Sequence, residues 1–191
     1  MESAKPRVTI HMAASLDGFI ARRDGRVDWL ETSDHFDGGH TMTPESVAEF
    51  LKTIDCYVMG SRTYETALDF EAKGFGWAYG DKPTFVLTRR HLAKTRDTVE
   101  FYSGDLGRLV SETLAPRFRN VWLVGGAHLC QSFLEQGFVD EIRLSIAPVL
   151  LGDGLSLFGT SGGETRWRLM DVVPYKTGFV ELVYRSERGS R

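Results

Sequence analysis

Cysteine is scarce in this chain: among 191 residues there are two, Cys56 and Cys130, each inside an apolar segment and without the paired spacing of a zinc or redox site. That excludes a disulfide-stapled scaffold and predicts two buried thiols in a reducing cytoplasm. Long apolar runs are missing as well, since nothing approaches the roughly 18 consecutive apolar residues of a spanning helix, and no membrane association is expected. Positive charge is in deficit: 23 Lys plus Arg against 26 Asp plus Glu gives a formal charge of -3, so no field exists to condense on a nucleic-acid backbone. Asparagine occurs once, as Asn120, outside any glycosylation sequon. The short charged start leads directly into an alternating strand pattern, which is not a signal peptide. What is present is ordinary globular usage, 42% hydrophobic, 26% charged and 12% aromatic, at a length that suits a single domain over residues 1–191.

The order of patterns predicts an α/β fold. Strand-like runs at 8–13, 56–59, 83–88 and 120–124 alternate with helical segments that begin near Thr43, Ser61, Leu106 and Ala127. Thr43-Pro44 supplies a cap followed by proline at the first helical position. Residues 98–102 read as an edge strand. The last third, with alternating runs at 141–147, 166–170 and 179–184, has no helices and reads as antiparallel strands. Together these imply a mostly parallel central sheet with helices on both faces and an antiparallel C-terminal edge. The glycine-rich stretches near 74–80 and 159–163 read as loops, the first as a surface loop.

Chemistry concentrates at three strand ends: Gly60-Ser61-Arg62-Thr63, Thr88-Arg89-Arg90 and Gly125-Gly126-Ala127-His128. Two of them lead into helices, whose free N–H groups and positive dipole attract phosphate, and glycine lets the backbone approach closely. Ligands of open α/β sheets bind outside the carboxyl ends of the strands, so a nucleotide cofactor is expected. Arg62, Arg89 and Arg90 are candidates to grip a 2′-phosphate, which favours NADPH over NADH. The loop at 34–40 carries histidine and aspartate, but its glycines point to a flexible segment and no metal site is expected. No serine sits in a nucleophile-elbow pattern, so hydrolase chemistry has no support.

MAASLDGFIA at 12–21, VMGSRTYE at 58–65, WLVGGA at 122–127 and VDEIRLSIAPVLLGDG at 139–154 occur in that order. In these motifs the chain resembles the dihydrofolate reductase-like superfamily, and more closely the reductase domain of the bacterial riboflavin-pathway deaminase-reductase, from about residue 7 to 185. The resemblance implies a three-layer dihydrofolate reductase-like fold. It implies that Ala13 and Ile20 flank the nicotinamide and that the Asp17 loop covers the ring. Gly60, Ser61, Arg62 and Thr63 would hold phosphate from one helix start, with Leu87, Thr88 and Arg89 beside the adenine ribose. Val124, Gly125, Gly126, Ala127, His128 and Leu129 would take the other side of the diphosphate, with a cis bond joining the two glycines.

The implied activity is NADPH-dependent hydride transfer to a C=O or C=N bond of a small polar substrate, pterin-like or ribosylamino-pyrimidine-like. Reduction of 5-amino-6-(5-phosphoribosylamino)uracil is one such reaction. The pocket is expected between the loop at 17–29 and the helix with Ser46 and Phe50, with Trp29 and Phe50 on the substrate and Asp17 and Ser46 as catalytic candidates. Ser46 falls where folate reductases carry an acidic residue, which argues against dihydrofolate. The sequence starts at the reductase strand, so deamination is not expected. The rivals are a non-catalytic NADP(H)-binding protein and a dihydrofolate reductase. The strand at 141–147 resembles the family's dimer-forming edge, and a symmetric homodimer is expected.

Overall fold

The computed structural model describes residues 5–159 and 163–187, so part of the glycine-rich stretch at 159–163 lies outside the described residues. The main sheet has eight strands in the order β5-β4-β3-β6-β1-β7-β10-β9. They are β1 (Arg7–Ser15), β3 (Cys56–Gly60), β4 (Thr84–Leu87), β5 (Val99–Tyr102), β6 (Asn120–Gly125), β7 (Glu141–Ala147), β9 (Trp167–Pro174) and β10 (Val180–Ser186). The first six run parallel, and β10 and β9 add antiparallel to β7. A short ribbon of β2 (Phe19–Ala21) and β8 (Leu155–Ser156) stands apart. The layers and the antiparallel edge are those expected.

The strand at 141–147 is not an edge, however. β7 lies between β1 and β10 and is paired on both sides. The free edges are β5 and β9. Alternation alone made β7 look half-exposed, because polar residues occupy one of its faces although that face is covered.

Helices coat both faces. α1 (Pro44–Lys52) and α2 (Ser61–Phe70) lie on one; α3 (Leu106–Arg108), which widens into π-type turns over Leu109–Leu114, and α4 (Ala127–Glu135) lie on the other. The α3/α4 face is uniformly apolar: Val8, Ile10, Val58, Phe85, Leu123 and Ile142 from the sheet meet Leu109, Leu114, Cys130 and Phe133. Burying each such large side chain contributes roughly 1.5–3 kcal/mol. Both cysteines are fully buried, and desolvation pushes the Cys130 thiol up to about 12. On the opposite face Tyr57, Met59, Tyr64 and Val86 form a second cluster. The segment read as a surface loop at 74–80 joins it: Trp77 and Tyr79 pack there, with the Arg96 guanidinium 3.8 Å above the Trp77 ring.

Candidate active site

Six parallel strands put their carboxyl ends on one rim. At its centre β3 hands over to α2 on one face, while its neighbour β6 hands over to α4 on the other. Adjacent strands whose connections leave to opposite faces open a crevice between them, the usual ligand position in such sheets. Gly60 and Gly125-Gly126 form its two lips. A Cβ added to Gly60 would stand 3.8 Å from both the Gly125 oxygen and the Gly126 nitrogen, and one on Gly126 would stand 3.7 Å from Thr63 Oγ1. Gly125 has φ +128, a conformation that favours glycine, and a Cβ there would meet Met12 Cε at 3.0 Å. The Gly125–Gly126 peptide is cis, as the resemblance implied.

Both helices at this crevice start on glycine and receive no side-chain cap, Gly60 before α2 and Gly126 before α4. No side chain caps their first turns, although the Leu129 N–H already donates to the Gly126 carbonyl at 3.0 Å, and the dipoles add positive potential at the same place. Ser61, Arg62 and Thr63 occupy one first turn and Ala127, His128 and Leu129 the other. These open donors, with glycine leaving the backbone bare, fit the diphosphate of a dinucleotide. Ile20, Leu87 and Leu129 pack against the α3/α4 core and Val124 against the other cluster, so Leu87, Val124 and Leu129 can offer a ligand chiefly backbone.

The arginines divide. Arg62 and Arg89 are exposed and form no ion pair among the described residues. Arg90 instead forks onto Glu65 at 2.9 and 2.6 Å, tying the end of β4 to α2, and is corrected from a phosphate candidate to a structural one. The Thr88 hydroxyl accepts the Arg90 N–H at 2.9 Å and shapes the same turn.

Asp17 ties two loops together. Its carboxylate accepts the Ser15 hydroxyl at 2.5 Å and the N–H groups of Leu151 and Gly152 at 3.1 and 2.7 Å. The Ser15 hydrogen bond, above all, holds its carboxyl below the ordinary value against the pull of desolvation, so it is ionised while accepting these three bonds. That suits the organisation of a covering loop better than proton donation. Ser46 is engaged likewise: its hydroxyl donates to the Thr43 carbonyl at 2.8 Å, while Thr43 Oγ1 accepts the Ser46 N–H at 3.2 Å, completing the cap of α1. Trp29 is 6% exposed and its indole N–H has no partner among the described residues.

The residues that sequence reasoning missed lie on the sheet face under α1. This helix has no buried residue, and its apolar side is left partly uncovered, Val47 being 40% exposed. Phe50 reaches the sheet, meeting His11 edge-on at 4.9 Å and the Arg143 guanidinium at 5.4 Å. His11 stacks on Trp122 at 5.4 Å. Its Nε2 lies 3.0 Å from Glu181, a buried carboxylate that also accepts from Arg143 at 3.4 Å. The His11 hydrogen bond, more than any other influence, lowers the Glu181 pKa. Glu141 is buried too; desolvation raises its carboxyl, but Arg143 and Arg7 outweigh that and the net shift is downward. The signal was available: polar residues at alternate positions of strands β1, β7 and β10 all fall on one face once the register is known. A separate concavity of about 760 Å³ opens at the opposite rim beside Lys5, Arg7, Asp140, Arg168 and Arg185. Most of its cations are already paired with Asp140 or Glu141.

Comparison with known proteins agrees with this fold. The chain is 30% identical over 163 residues to YwjB, an uncharacterised protein of Bacillus subtilis (strain 168), covering 85% of this chain and 88% of that one. A Shewanella sp. PV-4 protein provisionally named for riboflavin biosynthesis superposes with a TM-score of 0.80 at 26% identity, over 95% of this chain and 99% of the other. Enterococcus faecalis dihydrofolate reductase, solved in complex with NADP(H) and RAB-propyl, shares the fold with a TM-score of 0.63 at 17% identity, over 95% and 96%. No helix among the described residues is long and apolar enough to cross a membrane. Residues 6–180 match the model of the RibD C-terminal domain, and the chain belongs to that family, on a dihydrofolate reductase-like fold.

Proposed function

We propose that this protein is an NADPH-dependent reductase that delivers hydride to a C=O or C=N bond of a small, planar, polar substrate, of the pterin or ribosylamino-pyrimidine kind. The observation that carries this is the pair of uncapped, glycine-led helix starts facing one crevice, next to the aromatic cleft beneath α1. Residues 60–63 and 125–129 would hold the diphosphate, Arg62 and Arg89 the 2′-phosphate, and Ala13 and Ile20 would border the nicotinamide. The bound cofactor supplies the hydride, so the protein's task is to orient the two rings and exclude water. The loop clasped by Asp17 and the buried Trp29 suit the second task. Reduction of 5-amino-6-(5-phosphoribosylamino)uracil is the leading reaction within this class, given the family. Dihydrofolate is disfavoured, because Ser46 is turned into its own cap and Glu45 and Glu49 are exposed. The rival reading is a non-catalytic NADP(H) binder.

Titration of tryptophan fluorescence with NADPH and NADH, followed by oxidation assays against pterins, aminopyrimidines and carbonyl compounds, separates these. Tight NADPH binding with turnover of one class is expected. Binding without any turnover supports the rival, and no binding overturns both. A homodimer in the cytoplasm belongs to the same proposal, with β9 as the pairing edge, where Leu169, Met170 and Val172 are 50%, 44% and 48% exposed. A monomeric mass by light scattering at micromolar concentration would refute it.

A further inference from the structure

Three neighbouring strands place His11, Arg143 and Glu181 on one face: His11 is opposite Arg143 across β1 and β7, and Ser145 joins Ala13 to Glu181 one pair further along. Glu181 splits its two oxygens, Oε2 towards His11 Nε2 at 3.0 Å and Oε1 towards Arg143 Nη1 at 3.4 Å. A carboxylate cannot donate, so the imidazole must present a proton at Nε2, and in the neutral ring Nδ1 keeps a lone pair. That Nδ1 is shielded from solvent and has no hydrogen-bond partner among the described residues. Buried polar atoms are nearly always paired, and the exceptions point to a role or to a missing ligand. Around it stand the Trp122 face and the Phe50 edge, under a helix that buries nothing of its own. His11 and Ala13 share a face of β1, two residues or roughly 6–7 Å apart at the usual strand rise.

We propose that His11 Nδ1 is the acceptor for an N–H group of the substrate, and that Glu181 is the positioning residue that fixes the histidine tautomer. The substrate class is thereby narrowed to flat nitrogen heterocycles carrying a ring N–H or amino group on the edge turned towards β1, with Phe50 against the ring. This assignment rests on the reductase reading, because it takes Ala13 as the neighbour of the nicotinamide. A site that offers a buried acceptor rejects analogues unable to donate to it, by far more than a purely apolar pocket could.

The test uses the full chain at pH 8, with and without saturating NADP+, and two probes that share one ring but differ in having or lacking N–H donors, 2,4-diaminopyrimidine and the bulkier 2,4-bis(dimethylamino)pyrimidine, the His11→Phe variant controlling for size. The diamine is expected to bind at least about 30-fold more tightly, as read by tryptophan quenching. His11→Phe should level the two probes while leaving the NADP+ affinity unchanged. In Glu181→Gln the amide oxygen is claimed by Arg143, a donor only, so the amide N–H₂ faces Nε2 and drives the ring proton to Nδ1. Nitrogen-15 NMR of the imidazole should show the proton on Nε2 in the native protein and on Nδ1 in that variant, with discrimination lost. Equal binding of both probes by the native protein, binding of neither, discrimination that survives His11→Phe, or a native proton on Nδ1 would each overturn the assignment. Failure of NADP+ to bind would instead strike the reductase reading, and the probe comparison without NADP+ keeps the two failures apart.

Discussion

The helices of this protein begin in two different ways. α1 and α3 open on a side chain, Thr43 accepting the Ser46 N–H at 3.2 Å and Asp105 accepting the Arg108 N–H at 3.0 Å. α2 and α4 open on Gly60 and Gly126, with no side chain on their first-turn donors. In the first pair the chain satisfies its own backbone, so those ends are finished structure. In the second pair no side chain takes the donors, which on the proposed function await a phosphate from outside the chain, and both stand at the switch point of the sheet. Capping and binding are thus alternative uses of one set of N–H groups.

The sharpest way to break this contrast is to cap a binding end. Gly60→Asp has room for its Cβ and a compatible backbone at φ -83, and aspartate is a good cap. It should weaken NADPH binding by at least about 100-fold, roughly 2.7 kcal/mol, through charge repulsion and occupied donors, while the melting temperature holds or rises. Equal losses of affinity and stability would erase the distinction. Next in size, Arg62→Ala with Arg89→Ala should weaken NADPH by about 10- to 100-fold and leave NADH unchanged, as expected for charged hydrogen bonds to phosphate. Arg90→Ala should leave the ratio of the two cofactors where it was, since Arg90 is held by Glu65.

Uncapping a structural end is the converse experiment. Thr43→Ala should cost about 1 kcal/mol, read as faster amide exchange in α1, with no change in NADPH affinity. Smallest is the effect of acid. Glu181 and Glu141 titrate below their ordinary values in the folded protein, so their contribution to stability is complete above the unfolded pKa of about 4.3 and is lost as the pH falls through the lower folded values. Denaturant midpoints should decline there, while the NADP+ affinity of the still-folded fraction shows no matching step.

Much of this was legible in the order of residues. Glycine after a buried strand and before a helical pattern marked both uncapped ends, and Thr43-Pro44 marked the capped one, because these signals are local. The sheet face under α1 was not legible. Arg143 and Glu181 are 38 positions apart and His11 lies 132 before Arg143, so the three meet only through strand register. Read singly, each is the polar member of an alternating strand and looks solvent-facing. The same limit hid the interior place of β7. Arg90 misled for a related reason: basic character is visible in a sequence, but the Glu65 that neutralises it comes from α2, a separate element.

The double attachment of Asp17 bears on how the crevice opens. Since one carboxylate grips its own loop through Ser15 and the segment after β7 through Leu151 and Gly152, neither can lift without the other unless those bonds break together. Entry and escape at the proposed nicotinamide end would therefore be governed by a flap of two joined parts rather than by a loose tether, and loss of that single side chain would leave only backbone links between them, from Leu16 to Val149 and through the β2–β8 ribbon.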